Sequence, residues 1–330
     1  MQPAAFQSAL LKWYGAHKRA LPWRATQNPY HLLVAETMLQ QTTVATVLGY
    51  YEKFLKQFPT VQALGKANIA DVLHLWQGLG YYRRAHNMHK GAQVLATQPF
   101  PTTEAELLAI PGIGPYTAAV LAATAFNTHA VVVDGNVERV MARLFAVAAP
   151  LPKSKPVLRQ HAAQLASANH PRAYANAIME LGALVCTPRT PNCSACPVQK
   201  FCKAYKQGTP TAYPVKDAKK KAPHHTATAY VLRDAQGNIY LQQRPDTGLL
   251  SSLWELPHEG WEKTPLPKIK WHHEQPAGSY THTFTHFKLT LNVVTAQVES
   301  IPAAHRFALK KLPPLSTLMK NALRAAGLGL

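Results

Sequence analysis

The chain has 330 residues, more than one ordinary domain, and its 47% hydrophobic content excludes a disordered protein, so two folded units with separate cores are expected. Thirty-five Lys and Arg against 16 Asp and Glu give a formal charge of +19, which points to a polyanionic partner, nucleic acid first; a merely basic surface is the alternative. No apolar run reaches the roughly 18 residues that span a bilayer, and Met1 to Lys12 lacks the regions of a secretory leader, so an intracellular protein with no membrane partner is expected.

Up to about residue 205 the apolar positions recur at three and four, in His31 to Phe58, Ala105 to Leu108, Thr117 to Phe126 and Ala173 to Val185. That is the period of helices lying on a core. In the first run Leu32, Leu33 and Leu39 share a helical face with Glu36. A carboxyl in an apolar stripe is penalised when charged, which lifts it from its ordinary value of about 4.3 toward the working pH, as a general acid requires. The alternative is a partly exposed surface Glu. Next, Leu108-Ala-Ile-Pro-Gly-Ile-Gly-Pro-Tyr-Thr-Ala118 sets Pro111, Gly112 and Gly114 between two helical stretches. Such a turn brings backbone N–H groups and the positive end of the following helix to an anion, and a DNA phosphate fits there. Val131-Val-Val-Asp-Gly-Asn-Val137 then places Asp134 where it caps a helix starting near Asn136, supplies a second carboxylate, or does both. A neutral carboxyl and a second carboxylate are together the pair that acid–base cleavage of a glycosidic bond uses.

All four cysteines fall between Cys186 and Cys202, in a C-x6-C-x2-C-x5-C arrangement with Cys193 and Cys196. Four thiolates can converge from one short loop, which suits a metal site in a reducing compartment better than disulfides. On chemistry alone an iron–sulfur cluster and zinc are equally compatible with it. From Gln207 to His225 the helical pattern fails, and Lys216, Lys219, Lys220 and Lys221 crowd among Pro210, Pro214 and Pro223, the composition of a linker. Beyond it the period changes to two. Thr226 to Leu232 and Ile239 to Gln243 flank a hairpin turn at Asp234 to Asn238, a second strand pair spans Ser279 to Val298, and a helix runs from Leu315 to Ala326.

Five blocks in order carry a resemblance: A-E-T-M-L-Q-Q-T around Glu36, L-x-x-I-P-G-I-G-x-x-T-A, V-D-G-N-V-x-R-V, M-E-L-G leading into the cysteine loop, and Phe284-Thr-His286. Together they resemble the MutY-type adenine DNA glycosylases of the helix–hairpin–helix (endonuclease III) superfamily, over nearly the whole chain. The resemblance implies a multidomain fold: an all-α helix–hairpin–helix glycosylase domain with a 4Fe-4S loop over residues 1–206, a linker at 207–225, and a smaller α+β Nudix-like lesion-recognition domain over 226–330. It decides the cysteine question for a 4Fe-4S cluster that orders a basic DNA-facing loop, with Lys200, Lys203 and Lys206 as phosphate contacts, and takes no part in hydrolysis.

By the same resemblance the protein is a monofunctional adenine DNA glycosylase of base excision repair, cytoplasmic or nucleoid-associated and monomeric. Its substrate is adenine mispaired with 8-oxoguanine, or guanine, in double-stranded DNA. Glu36 protonates adenine and then handles water, Asp134 steadies the cationic sugar, and Asn136 orients them. Arg24, Trp23 and Glu180 line the adenine pocket. Gln40, Gln41 and Tyr81 fill the opened stack, and Pro111, Gly112, Ile113 and Gly114 hold phosphate. Phe284, Thr285 and His286 read the damaged guanine, with Thr285 standing where Ser is usual. Strand-cleaving relatives carry a Lys two residues after the second hairpin glycine, where its amine forms a Schiff base; here that residue is Tyr116, which packs near the extruded adenine. The C-terminal blocks Gln243-Arg-Pro245 and Gly248 to Pro257 look Nudix-like, but nothing after Pro257 supplies the R-E-x-x-E-E set that binds magnesium. An endonuclease III-like pyrimidine glycosylase is the nearest rival and predicts Lys at position 116 and no C-terminal domain. A catalytically idle iron–sulfur DNA-binding module is the other.

Overall fold

The computed structural model describes residues 2–217, 222–262 and 265–329. Its contacts divide the chain into two compact units, residues 1–66 with 90–219 and residues 67–89 with 220–330. By these contacts residues 67–89, read from the sequence as part of the helical domain, group with the C-terminal part. Among the described residues no helix is long and apolar enough to cross a membrane.

In chain order the helices are α1 (Pro3–His17), α2 (Pro29–Leu39), α3 (Val44–Gln57), α4 (Val61–Lys66), α5 (Ile69–Trp76), α6 (Arg83–Leu95), α7 (Glu104–Leu108), α8 (Pro115–Thr124), α9 (Gly135–Phe145), α10 (Lys155–Leu165), α11 (Pro171–Leu184) and α12 (Lys203–Lys206). The periodic stretch His31 to Phe58 contains two helices, α2 and α3. Gln41 turns into the left-handed region at φ 62°, and Thr43 caps α3 by accepting from the Thr46 N–H. Every residue of α8 from Thr117 onward is buried, because the helix is enclosed on all sides. The main core of the first unit joins α1, α9, α10 and α11 through Phe6, Leu10, Met141, Leu158 and Ile178.

The segment read as a linker is structured at both ends. The Leu151 N–H bonds the Val215 carbonyl, and Arg143 Nε donates to the Tyr213 carbonyl, so residues up to 216 lie on the first unit. Of the linker lysines, Lys219, Lys220 and Lys221 lie outside the described residues.

The second unit is built on β1 (His224–Arg233), β2 (Ile239–Tyr240), β3 (Gln242–Gln243), β4 (Trp254–Glu255), β5 (His258–Glu259), β6 (Trp271–Thr283), β7 (Lys288–Val298) and β8 (Arg306–Phe307), closed by α13 (Thr317–Ala325). The main sheet runs β6-β7-β1-β2-β8, with β1 and β7 parallel and β6 and β7 an antiparallel hairpin. On β7 Leu289, Leu291 and Val293 alternate inward with Ala227, Ala229 and Val231 of β1 and meet Leu318, Met319 and Leu323 of α13. Tyr230 and Leu232 face a second cluster, so β1 is covered on both faces. His86 on α6 completes this unit, its Nε2 donating to the Ser251 carbonyl at 3.2 Å.

Candidate active site and cysteine loop

Within the first unit a cleft of about 650 Å³ is lined by Glu36 and Gln40 of the α2 segment, Tyr116 of α8, Asp134 and Asn136 at the start of α9, and Glu180 of α11. Trp23, Arg24 and Gln41 also line it. Glu36 is 7% exposed, as its apolar stripe implied, and accepts a hydrogen bond from Tyr116 Oη at 2.6 Å. Burial pushes the Glu36 carboxyl up to about 7, against the Tyr116 hydrogen bond and with the help of the Asp134 charge. The same burial, together with Glu36 and Asp134, raises the Tyr116 phenol, which stays a neutral donor.

Asp134 caps α9 while it lines the cleft. Its Oδ1 accepts the Val137 N–H at 2.7 Å and its Oδ2 accepts Asn136 Nδ2 at 2.7 Å. Burial raises the Asp134 carboxyl, and those hydrogen bonds oppose the rise. Asn136 is held in turn by Arg139, whose Nη2 donates to Asn136 Oδ1 at 2.9 Å and to the Gly182 carbonyl at 2.7 Å, and whose Nε donates to the Cys186 carbonyl at 2.7 Å. Gly182 permits this arrangement: a Cβ there would lie 2.6 Å from Asn136 Cβ, so only glycine lets α11 pass so close to α9.

Glu180 is fully buried yet ionised. It accepts from the Arg19 N–H at 2.9 Å, from Arg19 Nε and Nη2 at 2.9 and 2.6 Å, and from Arg24 Nη2 at 2.7 Å. Burial works to raise its carboxyl, but these bonds and the Arg24 charge hold it at about 2. Arg24 Nη1 is buried and has no hydrogen-bond partner among the described residues. Trp23 is 4% exposed and packs edge-on against Tyr51, with ring centroids 5.4 Å apart, so it is as much a core residue as a wall of the cleft. Sequence reasoning missed Arg19, which lies in a non-periodic joint and left no signal. Arg139 was signalled by lying one helical turn beyond Asn136, on the same face.

The hairpin between α7 and α8 begins with a capping box, Thr103 with Glu106, and Gly112 turns at φ 84°. Pro111, Gly112 and Gly114 are exposed. Ile113, expected with them at the phosphate, is 5% exposed and spends its N–H on the Ile110 carbonyl. It anchors the turn from inside, because an apolar side chain next to a solvated loop is stabilised by turning into the core. Gln40 reaches Thr117, its Nε2 3.4 Å from Thr117 Oγ1. In the second unit Tyr81 stands out at φ 47° and 49% exposed, and its Oη lies 3.0 Å from Thr285 Oγ1.

Cys186, Cys193, Cys196 and Cys202 line one small cavity with Arg143, whose Nη1 donates to Cys186 Sγ at 3.3 Å. Among the described residues no group of three or more such ligands could hold a single metal ion. Four thiols gathered round one cavity are the donor set that an iron–sulfur cluster takes. Burial pushes the Cys196 thiol up to about 12 and raises Cys193 and Cys202 as well. Lys200, Lys203 and Lys206 are exposed on the same loop.

Residues 34–167 match the HhH-GPD superfamily of base excision DNA repair proteins, residues 186–202 the iron–sulfur binding domain of endonuclease III, and residues 228–326 the NUDIX domain. The human adenine DNA glycosylase is 34% identical, over 97% of this chain and 73% of its own length. The chain belongs to the adenine DNA glycosylase family. Another member, from Buchnera aphidicola (strain Bp), is 30% identical over 91% of the chain and 88% of its own length. A solved thermostable thymine-DNA glycosylase superposes with a TM-score of 0.57 at 28% identity, covering 62% of this chain and 97% of that one. Endonuclease III in a non-covalent DNA complex gives 0.53 at 23% identity over 63% and 98%, which shows a shared helical fold. Like the family, the chain is a base excision DNA glycosylase with an iron–sulfur cluster held by its four cysteines.

Proposed function

We propose that the protein acts as a monomer on double-stranded DNA, wherever chromosomal DNA lies in the cell. It hydrolyses the N-glycosidic bond of adenine mispaired with 8-oxoguanine, or less readily guanine, and leaves the strand uncut. The observation that carries this reading is a buried carboxyl raised to about 7, Glu36, and the helix-capping Asp134, lining the same cleft as an ionised Glu180 and an unpartnered Arg24 Nη1.

Adenine offers a donor amine and acceptor ring nitrogens, which complement the Glu180 carboxylate and the Arg24 guanidinium. Glu36 gives its proton to a ring nitrogen, and the C1′–N9 electron pair leaves with the base. The Asp134 carboxylate, held by Val137 and Asn136, steadies the positive charge on the sugar. Water then bonds to C1′ and returns a proton to the Glu36 carboxylate, which closes the cycle. Because Tyr116 occupies the position of the lyase lysine and engages Glu36 through its hydroxyl, no amine there can form a Schiff base. The cluster, when bound, ties the loop bearing Lys200, Lys203 and Lys206 into one piece, and Arg143 and Arg139 hold that loop through the Cys186, Thr187 and Pro188 carbonyls.

Single-turnover adenine release from 8-oxoguanine:adenine, guanine:adenine and thymine:adenine duplexes tests this. Release should be fastest from the first, and Glu36→Gln should bind duplex and release nothing. Wild-type-like release by that variant overturns the role of Glu36.

A further inference from the structure

The second unit contains a buried ion network and a run of stacked rings that neither the cleft nor the cysteine loop uses. It starts at Arg244, whose side chain is 5% exposed. Its Nη1 donates to Glu255 Oε2 at 2.5 Å, its Nη2 donates to Glu262, and its Nε donates to the Leu249 carbonyl at 2.9 Å. With its edge bonded on three sides, the guanidinium plane cannot turn. Trp261, 6% exposed, lies against that plane, with the guanidinium carbon 5.2 Å from its ring centroid. Phe284 stacks on Trp261 at 6.0 Å and 27°, and Phe287 stacks on Phe284 at 4.6 Å and 27°. The Phe284 N–H donates to the Phe287 carbonyl at 2.8 Å, closing the turn between β6 and β7 with Thr285 and His286 exposed at its tip.

We infer that Trp261, clamped by Arg244, is a positioning residue for the Phe284-Thr285-His286 turn and thereby sets how strongly oxidised guanine is preferred over guanine opposite adenine. This rests on the proposed reading that the turn meets the damaged base. Guanine and its 8-oxo form differ only in the oxygen at C8 and the hydrogen at N7, so one hydroxyl can tell them apart only if its place is fixed closely. A two-residue hairpin tip does not fix itself. Here the tip hangs from Phe284, Phe284 rests on Trp261, and Trp261 rests on a guanidinium held between two carboxylates. Those carboxylates are committed to Arg244, which gives the ion network a mechanical task in a unit of Nudix type.

The test measures single-turnover adenine release by the full holoenzyme from 8-oxoguanine:adenine and guanine:adenine duplexes, for wild type, Trp261→Leu, Trp261→Met and Trp261→Phe. Trp261→Leu and Trp261→Met should lose about tenfold or more on the oxidised duplex while changing about twofold or less on the guanine duplex, and Trp261→Phe should restore most of the loss. A wild-type preference that survives in a folded Trp261→Leu or Trp261→Met variant overturns the inference and leaves the reading of the turn standing. Equal wild-type rates on the two duplexes overturn that reading, and the inference with it. Circular dichroism identifies a variant that fails to fold; if Trp261→Leu does so, Trp261→Met decides on the same criterion.

Discussion

Replacing Glu36 by Gln should remove activity and, above neutral pH, make the protein more stable. The carboxyl is lifted from an ordinary 4.5 to about 7 by burial, so between those values the folded state holds a proton that the unfolded chain has given up. Stability therefore falls as pH rises through this window and levels off once the folded carboxyl is also ionised. At about 1.36 kcal/mol per pH unit, the loss comes to about 3 kcal/mol. Glutamine fills the same space, still accepts the Tyr116 hydroxyl through its amide oxygen, and carries no charge to desolvate. Urea unfolding of wild type and variant at pH 5 and pH 8, followed by far-UV circular dichroism, reads the difference. The variant should match wild type to within about 1 kcal/mol at pH 5 and exceed it by about 2–3 kcal/mol at pH 8. A stability difference that does not change with pH would mean that Glu36 ionises without penalty, and the argument for its role as acid would fail with it.

The rate should carry the mirror image of that curve: because Glu36 works protonated, single-turnover excision should fall about tenfold per pH unit above about 7. A rate that stays flat to pH 9 would assign the proton to another group. Gly182→Ala sets two effects in opposition, a helix-propensity gain of about 1 kcal/mol against a Cβ driven into Asn136, for which overpacking costs about 1–3 kcal/mol. The contact is with backbone as well as side chain, so the clash should win, lowering the melting temperature and slowing excision; a rise in melting temperature would refute it. Arg19→Met removes two of the hydrogen bonds to Glu180 and leaves the backbone bond and Arg24. Excision should slow about tenfold, about 1.4 kcal/mol, while duplex affinity stays within about twofold; unchanged excision would show that Arg24 alone suffices.

The parts of this molecule that are legible in the sequence are those that depend on neighbours along the chain. The apolar stripe around Glu36, the glycines of the hairpin, the cap at Asp134 and the cysteine loop are each set by residues close together in the chain, and the structure shows a buried Glu36, a turn at Gly112, a cap at Asp134 and four cysteines round one cavity. What it misses depends on residues far apart. Ile113 sits in a loop motif with two exposed glycines, and only the packed core shows that it points inward. Residues 67–89 have helical spacing like their flanks, so nothing along the chain says that their contacts group with residues 220–330. The run from His31 to Phe58 keeps its apolar spacing across the break between α2 and α3, because a single left-handed residue, Gln41, leaves no trace in the hydrophobic pattern.

The two glutamates of the cleft show why the same limit applies to chemistry. Glu36 and Glu180 are both buried, both on helices with apolar neighbours, and indistinguishable by pattern. Desolvation acts on each in the same direction. Glu36 is opposed by one phenol hydrogen bond and by the Arg24 charge without an ion-pair contact, and rises to about 7, whereas Glu180 has hydrogen bonds from two guanidinium groups and a backbone N–H and falls to about 2. One is thereby left with a proton to give and the other with a charge to present, a division that neither residue carries by itself. Exchanging those partners would exchange the roles. It follows that the loop holding Arg19 and Arg24 does as much to define the chemistry as the helices that bear the acids.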